Sequence, residues 1–348
     1  KKKILLPSHI ARIISEKTHI PVGEIEEKEK EILLHLEDLI HKKIINQNEG
    51  VKEIASSLRR ARTQIGSKKG PMGSFLFLGP TGVGKTETAK ALASIYFGSE
   101  SRIIRLDMSE FMERHDASKL VGAAPGYVGY NEGGILTEAV HRNGNSVILL
   151  DEIEKAHPDI HNLLLQIMDN GFIKDSSGKS INFRNSIIIM TSNAGAGGKI
   201  VKSIGFCEQT ETSTKANDIN NLFSPEFRNR LDGLIQFNPL DKAVMPKILE
   251  KLVTDLSEKL DKQGISVTFT EEASEWLVNN GFDKQMGARP LSRIFDKSVR
   301  RPIAFKILES EAPTSITVSA SNDGLIVAAD LDVATDNAVV QNRVARLN

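Results

Sequence analysis

The segment GPTGVGKT at residues 79–86 has the residue types and spacing of a loop that binds nucleotide phosphates. Gly82 and Gly84 can turn backbone N–H groups towards phosphate oxygens at the start of a helix, where the helix dipole favours anions. Lys85 can then reach the β- and γ-phosphates, and the Thr86 hydroxyl can bind Mg²⁺. We therefore predict a site for ATP and Mg²⁺ formed by Gly79, Pro80, Thr81, Gly82, Val83, Gly84, Lys85 and Thr86.

Two apolar runs end in polar side chains that suit the same chemistry. VILLDE at 147–152 ends in Asp151, which we expect to hold Mg²⁺, and in Glu152, which we expect to orient the attacking water as a base. SIIIMTSN at 186–193 ends in Asn193, expected beside the γ-phosphate because ligands lie at the carboxyl ends of strands in a doubly wound sheet. Asn193 could instead be a capping residue, and an acidic strand end is a strong signal only downstream of a phosphate loop.

These segments belong to an alternation of strands and helices that begins at residue 75. Strands are predicted at FLFLG (75), IIRLD (103), VILLD (147), SIIIMT (186) and LIQF (234), with helices around 85–97, 132–142 and 158–170. Such alternation predicts an α/β fold with a parallel five-stranded sheet covered on both faces. The segment 171–183 (GFIKDSSGKSINF) predicts a hairpin.

The alternation stops after Asn238 and Pro239, where we place a domain boundary. Residues 241–262 and 271–281 predict amphipathic helices, and a third helix is predicted to begin near Pro290. ITVSA near 316 and LIVAA near 325 predict a strand pair. The second domain is therefore expected to be smaller and mainly helical.

Composition excludes several classes of protein. The 348 residues suit about two domains, and 45 Lys and Arg balance 45 Asp and Glu, so bulk charge does not favour nucleic-acid binding. The single cysteine, Cys207, fits a reducing compartment. The apolar run after the N-terminal lysines is too short for a signal peptide, and no run approaches the roughly 18 apolar residues of a membrane span. We expect a soluble protein of the bacterial-type cytoplasm that binds neither nucleic acid nor membrane.

Seven motifs, in order along the chain, resemble those of the Clp/Hsp100 AAA+ ATPases. They are GPTGVGKT, RLDMSEFMERH (105–115), GAAPGYVGY (122–130), LLDEIEKAHPDI (149–160), IMTSN (189–193), SPEFRNRLD (224–232) and GARPL (287–291). The resemblance is to the second ATPase module of a two-module member and covers about residues 9–310. It implies an inter-module linker at 1–20, a large α/β ATPase domain at 21–238, a small domain at 239–332 and a tail at 333–348.

The resemblance assigns two arginines to the nucleotide. Arg230, in EFRNRLD, corresponds to the arginine finger that reaches the neighbouring subunit's nucleotide, and Arg289, in GARPL, to the sensor arginine of the small domain. A guanidinium suits both tasks because it stays charged and can fork onto phosphate oxygens. Without the motifs, either arginine would be read as a surface or carboxylate-paired residue. An arginine supplied to a neighbour implies a ring, and the family implies a homo-hexamer.

The adenine pocket is the one place where the sequence departs from the family. Members usually have a Gly-Gln pair before the first helix of the module, whereas this chain has IINQNEG at 44–50. Ile44 and Ile45 are still expected to line the pocket.

Two further segments resemble substrate-gripping loops of the family. Tyr127 and Val128, in GYVG, correspond to the pore loop, where apolar contact can grip an extended polypeptide without reading its sequence. From the sequence alone, Tyr127 could instead pack in a local core. Glu113, Arg114 and His115 resemble a second, polar pore loop.

A third segment resembles a docking loop. Ile204, Gly205 and Phe206 form an apolar triplet in the polar stretch 194–217. In the family, the loop that carries such a triplet docks a peptidase ring. The triplet could also fold back onto its own domain. Together with EFRNRLD and SNAG, it favours the ClpA-type branch, whose members deliver substrates to a ClpP-type peptidase.

The sequence therefore predicts an ATPase that unfolds protein substrates, threads them through a ring pore and delivers them to a ClpP-type peptidase, with adaptor proteins as further partners. The chain has no recognisable peptidase motif of its own. The alternatives are a ClpB/Hsp104-like or ClpC-like disaggregase or chaperone ATPase of the same family, a nucleic-acid remodelling ATPase, and a nucleotide-binding scaffold without turnover.

Overall fold

The structure, a computed structural model, describes residues 29–62, 69–122, 133–194, 222–283, 286–309, 313–321 and 324–330. These residues form two compact units. The first contains the chain up to Asn238 apart from Thr81–Val83, and the second contains Thr81–Val83 and the chain from Pro239 onward. The predicted linker at 1–20, the tail at 333–348, Tyr127, Val128 and the triplet at 204–206 lie outside the described residues.

A sheet of five parallel strands is the centre of the first unit. The described residues of this unit contain seven strands, which are β1 (Gly73–Leu78), β2 (Ile103–Asp107), β3 (Val147–Asp151), β4 (Phe172–Lys174), β5 (Ser180–Asn182), β6 (Ile187–Ser192) and β7 (Gly233–Gln236). The sheet has the order β2-β3-β6-β1-β7, and β4 and β5 form a separate antiparallel hairpin. The predicted five-stranded sheet and the hairpin are both confirmed.

Strand burial follows position in the sheet. The three inner strands β1, β3 and β6 are buried along their whole length, whereas the edge strands β2 and β7 alternate between buried and more exposed residues. Inner strands of a parallel sheet are covered by helices on both faces, which explains why they read as continuous apolar runs in the sequence.

Seven α-helices whose bounds lie within the described residues accompany this sheet. They are α1 (Leu36–Lys43), α2 (Asn48–Arg62), α3 (Lys85–Phe97), α4 (Asp116–Val121), α5 (Ile135–Asn143), α6 (Pro158–Asn170) and α7 (Pro225–Asn229). The sequence predicts the bounds of α6 because its ends carry strong signals. Pro158 is the first residue, the His157 ring accepts the Asp159 N–H at 3.2 Å, and Gly171 ends the helix with a φ of +73°.

Where the structure describes it, the second unit combines four α-helices with a small sheet. Its elements are α8 (Met245–Asp261), β8 (Ser266–Phe269), α9 (Glu271–Gly281), α10 (Arg289–Phe295), α11 (Arg301–Glu309), β9 (Ser315–Ser321) and β10 (Gly324–Asp330). The predicted strand pair is confirmed as the antiparallel pair β9–β10. The sequence does not predict β8, a four-residue strand that pairs parallel to β9, because its pairing partner lies 49 residues further along the chain.

None of the helices in the described residues combines the length and apolarity that crossing a bilayer requires.

A buried amide ties the N-terminal helices to the last strand of the sheet. The Gln47 side chain donates to the Asn238 carbonyl at 2.9 Å and accepts the Asn238 N–H at 2.9 Å. Gln47 and the preceding Asn46 have φ values of +68° and +67°. Asparagine tolerates this left-handed conformation better than most side chains, so the Asn that replaces the family's glycine fits the turn.

We predict that Gln47→Ala destabilises the first unit by about 1 kcal/mol or more, because the Asn238 N–H and carbonyl would lose their hydrogen bonds to the buried Gln47 amide. Urea unfolding followed by circular dichroism measures the change. Gln263→Ala, at an exposed position, is the matched control and should change stability by less than about 0.5 kcal/mol. Equal effects of the two substitutions would contradict a structural role for the Gln47 amide.

Candidate functional site

The loop between β1 and α3 has the backbone conformation of a phosphate cradle. Gly79, Gly82 and Gly84 have φ values of +147°, +75° and +106°, a region that favours glycine. A Cβ atom at Gly79 would lie 2.5 Å from the carbonyl oxygen of Phe237, so this position also excludes a side chain by contact. Because the loop opens directly into a helix N-terminus, its backbone N–H groups suit an anion.

The Lys85 ammonium is buried between this loop and the end of β6. It donates to the carbonyl oxygens of Gly79 and Ser192, the latter at 2.9 Å, and to the Asn193 side-chain oxygen at 2.8 Å. Three oxygen acceptors match the three protons of an ammonium group. The contact between Lys85 and Asn193 is therefore consistent with the sequence prediction that both belong to one site.

The Asp151 carboxylate is buried at the end of β3 and receives hydrogen bonds from both neighbouring strands. One oxygen accepts the Thr191 hydroxyl at 2.8 Å. The other accepts the Nε and Nη2 groups of Arg105 at 2.8 and 2.7 Å. These bonds hold the carboxylate at the carboxyl edge of the sheet, where only β6 separates β3 from β1, the strand that precedes the phosphate loop.

Glu152 adopts an unusual backbone conformation for a non-glycine residue, with a φ of +57°. Its N–H donates to the same Thr191 hydroxyl at 3.2 Å, and its carboxylate pairs with Lys155. The hydrogen bond to Glu152 raises the pKa of Lys155 above its ordinary value. Strained conformations of this kind persist where the surrounding structure holds them, and they are common at functional sites.

Glu154 holds the backbone beside this group. One of its carboxylate oxygens accepts the Asn193 N–H at 3.2 Å, and the other is buried with no hydrogen-bond partner among the described residues. Thr191, Arg105, Glu154 and Lys155 are all absent from the sequence-predicted site. Thr191 and Glu154 lie within the quoted motifs IMTSN and LLDEIEKAHPDI, but the sequence does not show which atoms they contact.

The donor set fits a magnesium nucleotide. Thr86 and Asp151 offer the hard oxygen ligands that Mg²⁺ prefers, and the glycine-rich loop with Lys85 offers N–H groups and a cation for phosphates.

Of the two residues predicted to line the adenine pocket, Ile44 is buried and Ile45 half-buried immediately after α1.

Other predicted site residues lie elsewhere in the structure. Arg230 is exposed at the end of α7 and pairs with Asp169 of α6, while Arg289 is the exposed first residue of α10 in the second unit. Glu113, Arg114 and His115 form an exposed stretch before α4. Its conformation is supported by the buried Asp116, whose carboxylate accepts the Glu113 N–H at 2.9 Å. A hydrogen bond from Lys119 lowers the Asp116 pKa.

Comparison with known proteins identifies both units. The family model described as the AAA domain (Cdc48 subfamily) matches residues 70–234. The model described as the C-terminal, D2-small domain of ClpB protein matches residues 240–320.

Individual relatives match most of this chain but only part of their own length. The ATP-dependent Clp protease ATP-binding subunit ClpE of Lactococcus lactis is 44% identical over 326 residues, covering 93% of this chain and 43% of ClpE. Chaperone protein ClpB of Staphylococcus aureus is 46% identical over 328 residues, covering 92% of this chain and 38% of ClpB. The S. cerevisiae Hsp104-ADP complex has a TM-score of 0.76 and 35% identity, covering 90% of this chain and 55% of that chain. The chain thus spans about two fifths of these curated relatives.

We predict that Thr191→Val lowers ATP turnover about 10-fold, because Asp151 and the Glu152 N–H lose the hydroxyl that orients both. ATP affinity should change little, since Lys85 and the loop keep their contacts. Steady-state turnover and nucleotide titration separate the two effects. Thr191→Ser keeps the hydroxyl and is the matched control; a valine variant that turns over as fast as the serine variant would contradict the role of this hydroxyl.

Proposed function

Because this chain belongs to the Clp/Hsp100 family of AAA+ ATPases and corresponds to its second ATPase module, we propose that it hydrolyses ATP to remodel protein substrates. The observation that carries the proposal is the group formed by Lys85, Asp151, Glu152 and Asn193 at the carboxyl ends of β1, β3 and β6. A buried cation, a buried carboxylate, a second carboxylate and an amide are the groups that phosphoryl transfer to water requires.

Each residue of the group has a defined task in this proposal. Lys85 binds the β- and γ-phosphates, and Asn193 and Glu152 orient the attacking water. For Glu152 this requires its carboxylate to leave Lys155. Thr86 and Asp151 would hold Mg²⁺, which offsets phosphate charge when bound. Ile44 and Ile45 contact the adenine.

The two arginines complete the site within an assembly. Arg230 acts on the nucleotide of the neighbouring subunit in a homo-hexameric ring, and its exposure at the end of α7 is compatible with that role. Arg289 contacts the phosphates from the small domain. The division into a linker at 1–20, an ATPase domain at 21–238, a small domain at 239–332 and a tail at 333–348 is part of the same proposal.

Substrate handling is assigned to two loops. Tyr127 and Val128 grip an extended polypeptide by apolar contact, and the exposed Glu113, Arg114 and His115 line the same channel. The balanced charge of the chain favours a protein substrate over a nucleic acid, because a polyanion needs a basic surface.

Among protein-remodelling functions, the relatives favour a chaperone of the ClpB and Hsp104 kind. The ClpA-type delivery of substrates to a peptidase, expected from the sequence, has no specific support from these relatives. What lacks support is the ClpA type, whereas coupling to a peptidase in general stays a second candidate on two grounds: ClpE is named as a protease subunit, and the triplet Ile204, Gly205 and Phe206 suits docking to an apolar pocket. Adaptor proteins and a cytoplasmic location also stay predictions.

We predict that Tyr127→Ala abolishes recovery of a heat-aggregated reporter enzyme while ATP turnover stays within about twofold of the unsubstituted protein. The physical reason is that the grip is lost while no phosphate-contacting residue is changed. Tyr127→Phe keeps the aromatic ring and is the matched control, which should retain recovery.

ATP turnover should rise with an unfolded protein and not with DNA; stimulation by DNA alone would contradict the proposal of a protein substrate.

The second candidate has a separate test, in which a ClpP-type peptidase is added to the ATPase and an unfolded substrate. If peptidase coupling is correct, degradation occurs and Phe206→Ala reduces it about 30-fold or more, because an apolar anchor is lost at every copy in a ring. ATP turnover should be unchanged. The chaperone proposal instead predicts recovered substrate and no degradation.

A further inference from the structure

Helix α6 contacts the segment that carries Arg230 at two points. Near the start of the helix, the His161 ring lies 5.7 Å from the Phe223 ring and 5.3 Å from the Phe227 ring, measured between centroids. The two phenylalanines stack on each other at 5.6 Å and are buried. Eight residues further along α6, the Asp169 carboxylate pairs with the Nε group of Arg230. The first contact anchors the helix that precedes Arg230, and the second reaches its guanidinium.

The anchoring contact is apolar and buried. Burial lowers the pKa of His161 below its ordinary value, so the ring is neutral near pH 7, and its Nε2–H donates to the Ile153 carbonyl at 3.3 Å. Phe227 lies within α7, and Ser224 caps that helix by accepting the Phe227 N–H at 3.2 Å. The backbone before Arg230 is thus held firmly, whereas the long arginine side chain beyond it is exposed.

We infer that Asp169 is a positioning residue for Arg230: its carboxylate orients the guanidinium for the neighbouring subunit's nucleotide. The inference rests on the proposed function in assigning Arg230 to that nucleotide. An arginine side chain has many rotamers, and a group that must meet a transferring phosphate gains from being oriented beforehand. Asp169 binds the Nε side of the guanidinium, so its outer nitrogens stay available to fork onto phosphate oxygens.

Because the pair is exposed, the positioning role of Asp169 can be tested without unfolding the protein. The side chains of Arg230 and Asp169 are 43% and 41% exposed, and ion pairs this exposed add little to stability. A substitution of Asp169 should therefore leave the fold intact and change only the orientation of Arg230.

The first measurement is steady-state ATP turnover of the assembled protein. Asp169→Ala should lower kcat about 10-fold with KM for ATP and thermal stability unchanged. Asp169→Asn keeps an oxygen that can accept the Nε–H and should recover most of kcat. Asp296→Ala removes a comparable exposed partner, that of Arg301, and is the matched control with unchanged kcat. An alanine variant with the kcat of this control would overturn the inference.

The second measurement tests action on the neighbour. Subunits with Asp169→Ala keep an intact site of their own, and subunits with Glu152→Gln keep an oriented Arg230. Mixed rings of the two should turn over ATP faster than the sum of the separate rings, because intact sites then lie next to oriented arginines. With mixed rings verified by subunit exchange, turnover equal to that sum would also overturn the inference.

Arg230→Ala distinguishes failure of the inference from failure of the proposed function. If Arg230→Ala keeps full turnover, the proposed role of Arg230 is wrong and the inference falls with it. If Arg230→Ala loses turnover while Asp169→Ala keeps it, only the inference is wrong.

Discussion

The buried ammonium of Lys85 is the constraint on which the candidate site depends. A buried cation is tolerated only where oxygen atoms surround it, and here they come from the loop, from the end of β6 and from Asn193. These acceptors are in reach only because β1 and β6 are adjacent parallel strands whose carboxyl ends coincide. The left-handed glycines of the loop, the position of Asn193 and its support by Glu154 all follow from the same arrangement.

A second arrangement, centred on the Thr191 hydroxyl, sets the two acidic residues. The hydroxyl donates to Asp151 and accepts from the Glu152 backbone, so one small side chain orients a carboxylate and fixes a left-handed turn. Beyond the turn, the Glu152 carboxylate contacts different residues from those that the Asp151 carboxylate contacts, although the two are adjacent in sequence. The two adjacent carboxylates therefore have separate partners, Arg105 and Thr191 for Asp151 and Lys155 for Glu152.

Helix α6 begins close to this turn and ends beside Arg230. The Ile153 carbonyl contacts His161, and His161 contacts the phenylalanines that anchor α7. The acidic turn and Arg230 are thus parts of one packed structure. The choice between chaperone and peptidase-coupled function depends on loops and partners that vary on the same fold.

The sequence by itself determines the phosphate loop, the five strands, the acidic strand end and the family. These are local signals, because glycine spacing, apolar runs and helix caps act between residues close together in the chain. Tertiary structure alone decides which side chains meet. Thr191 reaches Asp151 from 40 residues away because β6 lies beside β3, and Arg105 reaches it from the other side because β2 does. The sequence does not predict strand β8 or the Asp169–Arg230 pair, for the same reason. Strand order brings β8 to β9, and helix packing brings Asp169 to Arg230; spacing along the chain shows neither contact.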